Sequence, residues 1–506
     1  MRLKLVCILD AVVSDDNKGV TVLFTSLEFF IMLATTFLLF TGLLRLRMAK
    51  SALLVVSFAS LVFIGWWNPL YLPVILFSVA GNLLFAALVK GGEQSEAHST
   101  SKAILAVGIF LNLALLGTFK YWPWFQNAAA EGNLLSAPPE SILPLGISFY
   151  TFTQIAFLVD SWRSNVDDFD PLRYFLFVTF FPQLIAGPIV HHREMMPQFA
   201  VLRPLSFAST MLQQGVFLFF IGVIKKVWIA DTLAISVNQG FSNPESLDFW
   251  AAWSTSLGYS LQLYFDFSGY TDMALGLAMM FGITLPRNFN SPYKATSVQD
   301  FWRRWHMTLS RFLRDYIYIP LGGNRFGFRR EYAAIIATFV IGGIWHGAGI
   351  TFVIWGLLHG SALVIERVIR LNRLQGFTWV RRGSTFLFVT IAWVFFRAAD
   401  LPSALTILER MFVPVESSLL IEQRITNEIA WAPTLIGEIP GALFARIPIL
   451  IFIALLLLVI ALARNSDELA SRVKSPFVYW AVFVAGVSGL FWGWTSGNEI
   501  FLYFNF

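Results

Sequence analysis

The sequence predicts an all-α, polytopic integral membrane protein. Of its 506 residues, 57% are hydrophobic and 13% charged, whereas a soluble domain carries roughly 25% charged residues. Many apolar runs approach the about 20 residues that a helix needs to cross a bilayer. Pro and Gly interrupt other runs, which is tolerated at membrane depth only where protein or water satisfies the backbone. These observations indicate one helical domain of about 11 to 13 spans with re-entrant and interfacial helices.

Charge and cysteine content exclude several classes of function. The net charge of +5 is compatible with nucleic-acid binding, but basic residues collected in cytoplasmic loops explain it better. We therefore expect no nucleic-acid partner. The single cysteine, Cys7, excludes an internal disulfide, and no spaced Cys/His set predicts a zinc site.

The N-terminal segment differs from the rest of the chain. It has a basic start and a short apolar stretch, but Asp10 interrupts the stretch and no small-residue cleavage site follows. We predict that residues 1–21 are a disordered extension and that residues 22–506 form a single transmembrane domain.

The first spans are the clearest, and the loops between them set the orientation. The loop 45–50 is basic, and Lys90 and Lys102 lie at the two ends of a second loop, 90–102. The positive-inside rule places both loops in the cytoplasm and the N-terminus outside. The predicted spans are 24–44, 51–67, 71–89 and 103–120.

The middle and the C-terminal third are less regular. Pro182, Gly187 and Pro188 fall within the segment 180–194, which predicts a broken or re-entrant element. We expect His191 and His192 to follow it in a cytoplasmic loop. Further spans are predicted at 208–230, 249–282, 332–350, 351–369, 384–399, 447–463 and 477–494, with an external loop at 413–446.

Residues 286–325 form the most polar long segment. Ser297 can cap the N-terminus of a helix, with Asp300 as a capping-box partner. An apolar side chain recurs every three or four positions, and the arginines lie mainly off that stripe. This pattern predicts an amphipathic, basic, interfacial helix. Its apolar stripe comprises Trp302, Trp305, Leu309, Phe312 and Tyr316.

The histidines in apolar surroundings are candidates for either a structural or a catalytic role. His346 follows Gly342 and Gly343 and precedes Gly347, so that a helix or a ligand can approach closely. Packing and general-base catalysis are both compatible with this pattern, since imidazole titrates near neutral pH. By spacing alone, a structural role is favoured for His306 and for His359.

Intramembrane carboxylates call for partners, because an unpaired charge is costly to bury. Asp266 and Asp272 lie in an aromatic, apolar setting. They can pair with Lys225 and Lys226 or border a polar tunnel, and the structural pairing is favoured.

Several motifs together resemble the membrane-bound O-acyltransferase (MBOAT) family. They are "SPYKATSVQDFWRRWHMTLSRFLRDYIYIPLGGNR", "GGIWHGA", "LPLGISFYTFTQIAFLVD", "FFPQLIAGPI", "GVIKKVWIAD" and "YFDFSGYTDMALG". The chain looks most like the branch that contains the alginate O-acetylation membrane subunit. The likeness spans roughly residues 22–506 and leaves out the N-terminal extension.

This resemblance implies a bundle around a central tunnel, with His346 and His306 as its catalytic residues. His346 is then the general base on an acceptor hydroxyl that attacks an acyl thioester, most simply acetyl-CoA. Either His306 or an arginine at 303–304 stabilises the oxyanion. No bound cofactor or metal is implied. The substrate-binding candidates are Arg303, Arg304, Lys294, Asn324 and Trp345, with Arg325 beside them.

The resemblance also implies surroundings and partners. We expect a multi-pass protein of the inner (plasma) membrane that contacts lipid, receives the acyl donor from the cytoplasm and serves a periplasmic or extracellular acetyltransferase partner. The final acceptor is then a polysaccharide such as alginate, cellulose or peptidoglycan. Two alternatives are a transporter or flippase for a polysaccharide precursor, which shares broken helices and intramembrane charges, and a scaffold subunit of an export complex.

Overall fold

A computed structural model describes residues 24–94, 97–132, 143–185, 187–206, 209–369, 377–413, 441–496 and 502. Within these ranges every regular element is helical, as predicted. The proposed N-terminal extension and most of the proposed external loop at 413–446 lie outside the described residues.

The N-terminal spans form where they were predicted. The helix α1 begins after Ser26, whose hydroxyl accepts the Phe29 N–H at 3.3 Å. The fourth helix continues through a π-helical turn, Gly117–Tyr121, into a further α-helix. The helices are α1 (Leu27–Arg45), α2 (Ala49–Trp67), α3 (Tyr71–Val89), α4 (His98–Leu116) and α5 (Trp122–Glu131).

The chain is a multi-pass membrane protein. In the described ranges, 6 helices are long and apolar enough to cross a membrane on their own, and a bent pair, Pro448–Leu462 with Ser466–Arg472, raises this to 7. Their outward faces carry large apolar side chains such as Phe58, Phe77 and Phe110, which suits contact with lipid. Another long helix, Phe249–Met280, is richer in polar residues and is mostly buried.

The predicted broken segment is present and is enclosed by protein. A four-residue helix, Phe181–Leu184, is followed by non-helical backbone. The Phe181 N–H donates to Ser60 Oγ at 3.2 Å, and the Ile189 N–H donates to Thr308 Oγ1 at 2.9 Å. Side chains from distant helices therefore satisfy the freed backbone groups. The helices of this region are α6 (Ile147–Trp162), α7 (Pro171–Thr179), α8 (Phe181–Leu184) and α9 (His192–Ala200).

The histidine pair after this break is more ordered than a loop. His192 is the first residue of α9 and is buried, with its ring 5.7 Å from that of Phe157. Asp160 on α6 lies 3.5 Å from His192 Nδ1. His191 precedes the helix, but the prediction that His192 lies in a loop was wrong because the first turn of α9 packs against α6 and α7.

A 32-residue helix runs through the centre of the protein. It is almost wholly buried from Tyr259 to Ala278. A Cβ added at Gly222 would lie 2.5 Å from the Gly269 carbonyl oxygen, so the two backbones touch. The helices here are α10 (Thr210–Val223), a π-helical turn (Ile224–Asp231), α11 (Thr232–Ser242) and α12 (Phe249–Met280).

The intramembrane carboxylates are paired with the two lysines, as the structural interpretation predicted. Lys225 Nζ lies 2.6 Å from Asp272, and Lys226 Nζ lies 2.9 Å from Asp266. Lys226 also contacts Asp231, at 2.5 Å. These pairs tie the π-helical turn to α12.

The predicted amphipathic helix is two short helices. Ser297 caps the first, as expected, and its stripe residues Trp302 and Trp305 are buried. However, His306 has a left-handed backbone (φ 42°, ψ 52°) and separates the two. The Met307 N–H donates to the Asn288 carbonyl at 2.9 Å, and this bond to a distant segment replaces the helical one. The break therefore comes from tertiary contact.

The remaining helices complete the bundle. A third π-helical turn, Arg314–Tyr318, follows α14. The helices are α13 (Val298–Trp302), α14 (Met307–Leu313), α15 (Phe328–His346), α16 (Ile350–Val368), α17 (Thr378–Arg397), α18 (Leu401–Phe412), α19 (Gly441–Leu462), α20 (Ser466–Arg472) and α21 (Pro476–Ser496).

Candidate active site

The glycines around His346 admit a neighbouring helix. A Cβ at Gly343 would lie 2.2 Å from the Phe352 carbonyl oxygen, and one at Gly347 would lie 2.1 Å from the Phe352 ring. Only residues without a side chain allow α15 and α16 to meet this closely. The sequence left open whether a helix or a ligand approaches these glycines. In the structure, the helix α16 does.

His346 ends α15 and is enclosed by aromatic rings. Its side chain is buried, at 3% exposure. Ring centroids of Trp345, Trp355 and Phe396 lie 4.8, 5.1 and 5.1 Å away. These contacts restrict the orientations that the imidazole can adopt.

Lys120 and Tyr121 bind the backbone at the end of α15. Lys120 Nζ donates to the carbonyls of Trp345 at 2.6 Å and His346 at 2.8 Å, and the Tyr121 hydroxyl donates to that of Ile344 at 2.7 Å. Side-chain donors at a helix C-terminus satisfy its free carbonyls. Both residues lie in the first π-helical turn. Sequence reasoning missed them because more than two hundred positions separate them from His346.

His306 lies beside His346. It is fully buried, its ring is 4.8 Å from Phe267 and its centroid is 6.5 Å from that of His346. Its left-handed backbone costs on the order of 1–3 kcal/mol, a strain that clusters at functional sites. Its Nδ1 lies 3.1 Å from Asn288 Oδ1. The structure therefore brings together the two histidines that the resemblance selected.

A cavity of about 710 Å³ lies beside the residues that directly follow His306. Met307 and Thr308, which directly follow His306, lie on its wall, as does Trp302. The imidazoles of His306 and His346 are not among the described residues of the wall. The wall also carries one carboxylate, Glu366, and five arginines, which are Arg287, Arg303, Arg311, Arg314 and Arg367.

Carboxylates neutralise most of these arginines. Arg311 forms a two-pronged pair with Glu194, at 2.5 and 2.8 Å. Burial acts to raise the pKa of the Glu194 carboxyl, but hydrogen bonds from Arg311 and the His191 N–H hold that pKa below its usual value. Other pairs join Arg287 to Asp467, Arg314 to Asp315 and Arg367 to Glu331.

Arg303 differs from the other cavity arginines. It is exposed, and no carboxylate in the described ranges forms an ion pair with it. Its guanidinium is therefore available to an anionic ligand in the cavity.

The other predicted binding residues lie apart from the cavity. Arg304 binds Asp300 at 2.8 Å, and Lys294 donates to the Ala463 carbonyl at 2.5 Å. Asn324 and Arg325 are exposed in the turn before α15. Trp345 is buried next to His346, where its ring stacks on Phe152 at 4.8 Å. The structure thus groups Trp345 with the histidines and only Arg303 with the cavity.

His359 has the surroundings of a structural histidine. It is fully buried, and its Nδ1 accepts the Trp302 indole N–H at 3.2 Å. Since Trp302 lies on the cavity wall, His359 anchors that wall.

Comparison with known proteins gives consistent matches over most of the chain. A family model described as MBOAT, membrane-bound O-acyltransferase family, matches residues 140–401, a range that includes both histidines. The chain is 39% identical over 483 residues to a peptidoglycan O-acetyltransferase of Helicobacter pylori, covering 88% of this chain and 90% of that protein.

Two further relatives are named for other polymers, alginate and teichoic acid. A probable alginate O-acetylase AlgI of Pseudomonas aeruginosa is 38% identical over 385 residues, covering 74% of this chain and 72% of that protein. A teichoic acid D-alanyltransferase of Bacillus subtilis is 27% identical over 278 residues, covering 51% and 67%.

Proposed function

The chain belongs to the membrane-bound O-acyltransferase family and is a membrane acyltransferase, and from this premise we propose that it moves acetyl groups from acetyl-CoA towards a cell-envelope polysaccharide. Relatives named for peptidoglycan and alginate acetylation support acetyl as the group transferred. A separate acetyltransferase on the outer side completes the transfer where the polymer cannot reach the membrane.

The observation that carries the proposal is the buried histidine pair, one member of which directly precedes a cavity that has Arg303 on its wall. His306 and His346 lie 6.5 Å apart by ring centroids, and the two residues after His306 lie on the cavity wall. In the proposed complex, the phosphates of a thioester bind Arg303 and its acyl end extends towards the wall formed by Met307 and Thr308, the two residues that follow His306.

The reaction needs one base and one oxyanion donor. The imidazole of His346 takes the proton of the acceptor hydroxyl, the oxygen attacks the thioester carbonyl, and a tetrahedral oxyanion forms. Collapse breaks the C–S bond, and the proton held by His346 passes to the leaving thiolate. The Trp355 indole N–H is a further candidate oxyanion donor, because it is buried without a hydrogen-bond partner among the described residues and its ring lies 5.1 Å from His346.

The experiment measures transfer from labelled acetyl-CoA in inverted membrane vesicles that contain the full chain. We expect His346→Ala to reduce transfer by about 100-fold to 10,000-fold, the usual contribution of a general base. His98→Ala is the matched control, since His98 is exposed on the surface, and it should retain full activity.

Two outcomes would contradict the proposal. Full transfer by a correctly inserted His346→Ala protein would exclude the catalytic assignment. Export of a polysaccharide precursor by vesicles without any acetyl transfer would favour the transporter alternative.

A further inference from the structure

Asn288 lies at the centre of a hydrogen-bond network around His306. Its Oδ1 accepts from the Thr308 N–H at 3.3 Å and from the Thr308 hydroxyl at 2.9 Å, and it lies 3.1 Å from His306 Nδ1. Asn288 is buried, at 1% exposure. Three groups therefore converge on one amide oxygen.

The backbone N–H of Thr308 shows that the oxygen of the Asn288 amide, and not its nitrogen, faces Thr308 and His306. A backbone N–H can only donate, so the atom that faces the Thr308 N–H must be the oxygen. An oxygen can only accept, so His306 Nδ1 must carry a proton to bond it. A neutral His306 then has its lone pair on Nε2.

We propose that Asn288 is a positioning residue that locks His306 in the Nδ1–H tautomer, so that Nε2 serves as a hydrogen-bond acceptor in the transfer reaction. This inference rests on the proposed function. In this tautomer a neutral His306 holds a proton-donating group, such as the acceptor hydroxyl or the protonated His346. The oxyanion is then left to other donors.

Among the described contacts of the His306 ring, the bond to Asn288 is the one that fixes the tautomer. Phe267 of α12 presents an apolar ring at 4.8 Å, and Trp345 of α15 presents another at 6.4 Å. The titratable group facing it is His346, also on α15, at 6.5 Å. Thr308 contacts the amide oxygen itself.

Two substitutions at Asn288 separate the acceptor atom from the shape of the side chain. Asn288→Leu removes the acceptor, and we expect a fall in the saturating transfer rate of about 10-fold to 100-fold, with KM for acetyl-CoA within about twofold of the wild-type value. Asn288→Asp keeps an oxygen at this place and should retain most of the rate at pH 8.

The pH dependence of Asn288→Asp provides a readout that a purely structural residue would not change. A carboxylate next to Nδ1 stabilises the protonated imidazole, and protonated His306 has no lone pair at Nε2. The acidic limb of the rate profile should therefore move to higher pH by about one unit. Asn243→Asp, the same change at an exposed position, is the matched control and should keep the wild-type profile.

The outcomes are decisive in both directions. A wild-type rate for Asn288→Leu would overturn the proposal, as would an unshifted profile for Asn288→Asp. If Asn288→Leu fails to insert, the profile of Asn288→Asp still decides. Failure of the proposed function itself is recognised separately, because His346→Ala would then also retain transfer.

Discussion

At the residue scale, the position of His346 depends on a lysine that is far away in the sequence. Lys120 is 6% exposed and donates to two carbonyls at the end of α15. Without the Lys120 amine these carbonyls would be buried without a donor, which costs about 1–3 kcal/mol for each such group. The last turn of α15, and with it the imidazole, would lose its anchor.

We therefore expect Lys120→Met to reduce the transfer rate by at least about 10-fold, and to lower the thermal unfolding temperature. Lys102→Met, a change on the exposed start of α4, is the control for loss of a lysine. The rate is measured in vesicles and unfolding by fluorescence in detergent. Wild-type activity for Lys120→Met would show that the end of α15 holds its position unaided.

Arg303 has a different task, which is to attract an anion. Because its guanidinium faces the cavity without a carboxylate partner in the described part of the chain, Arg303→Gln should raise KM for acetyl-CoA about 10-fold while leaving kcat nearly unchanged. Arg304→Gln, whose parent side chain is engaged with Asp300, is the neighbouring control. Equal effects of the two changes would contradict the assignment of Arg303 to the donor.

At the scale of the element, the fit between α15 and α16 determines where the histidine lies. A methyl group at Gly343 would meet backbone atoms of Phe352 that cannot turn aside. We expect Gly343→Ala to destabilise the protein by about 1–3 kcal/mol, the usual cost of overpacking. Gly383→Ala is the matched control, because a Cβ at Gly383 on α17 meets nothing within 4 Å. Thermal unfolding of the two variants in the same detergent makes the comparison.

The sequence predicted most of the helices and their buried faces but did not predict the helix break at His306. The apolar stripe through Trp302, Trp305 and Leu309 is buried, as helical spacing indicated. The break at His306 was not predicted, because it depends on a bond from Met307 to the Asn288 carbonyl. Periodicity reports on local preference, whereas a bond to a segment nineteen positions upstream is a tertiary contact. The pairing of His306 with Asn288 was missed for the same reason.

At the scale of the whole molecule, buried ion pairs hold the central helix in place. Lys226 and Asp266 are 2% and 1% exposed, and Asp266 also accepts the Leu502 N–H at 3.0 Å. The pair thus joins the second π-helical turn, α12 and the C-terminal segment. Residue type and hydrophobic setting allowed this pairing to be predicted, since a buried carboxylate must find a cation.

Breaking this pair should affect the entire fold. Lys226→Met leaves two carboxylates without their cation, and we expect a loss of about 3–5 kcal/mol in stability. Arg173→Gln removes a surface cation that pairs with Asp168 and Asp170 and should cost about 0–1 kcal/mol. Similar unfolding temperatures for both variants would show that the buried pair contributes little.

The three π-helical turns in the described part of the chain have a consequence for sequence comparison. Their hydrogen bonds join residues five positions apart, so each holds about one residue more per turn than an α-helix, as a one-residue insertion into a helix would produce. Deleting one residue from Gly117–Tyr121 would rotate everything on one side of the turn by about 100° and turn Lys120 away from the end of α15. Sequence comparisons across the family should therefore align these turns with gaps of one residue. A relative without the extra residue in the turn that corresponds to Gly117–Tyr121 could not place its lysine at the end of α15, and other side chains would have to satisfy those carbonyls.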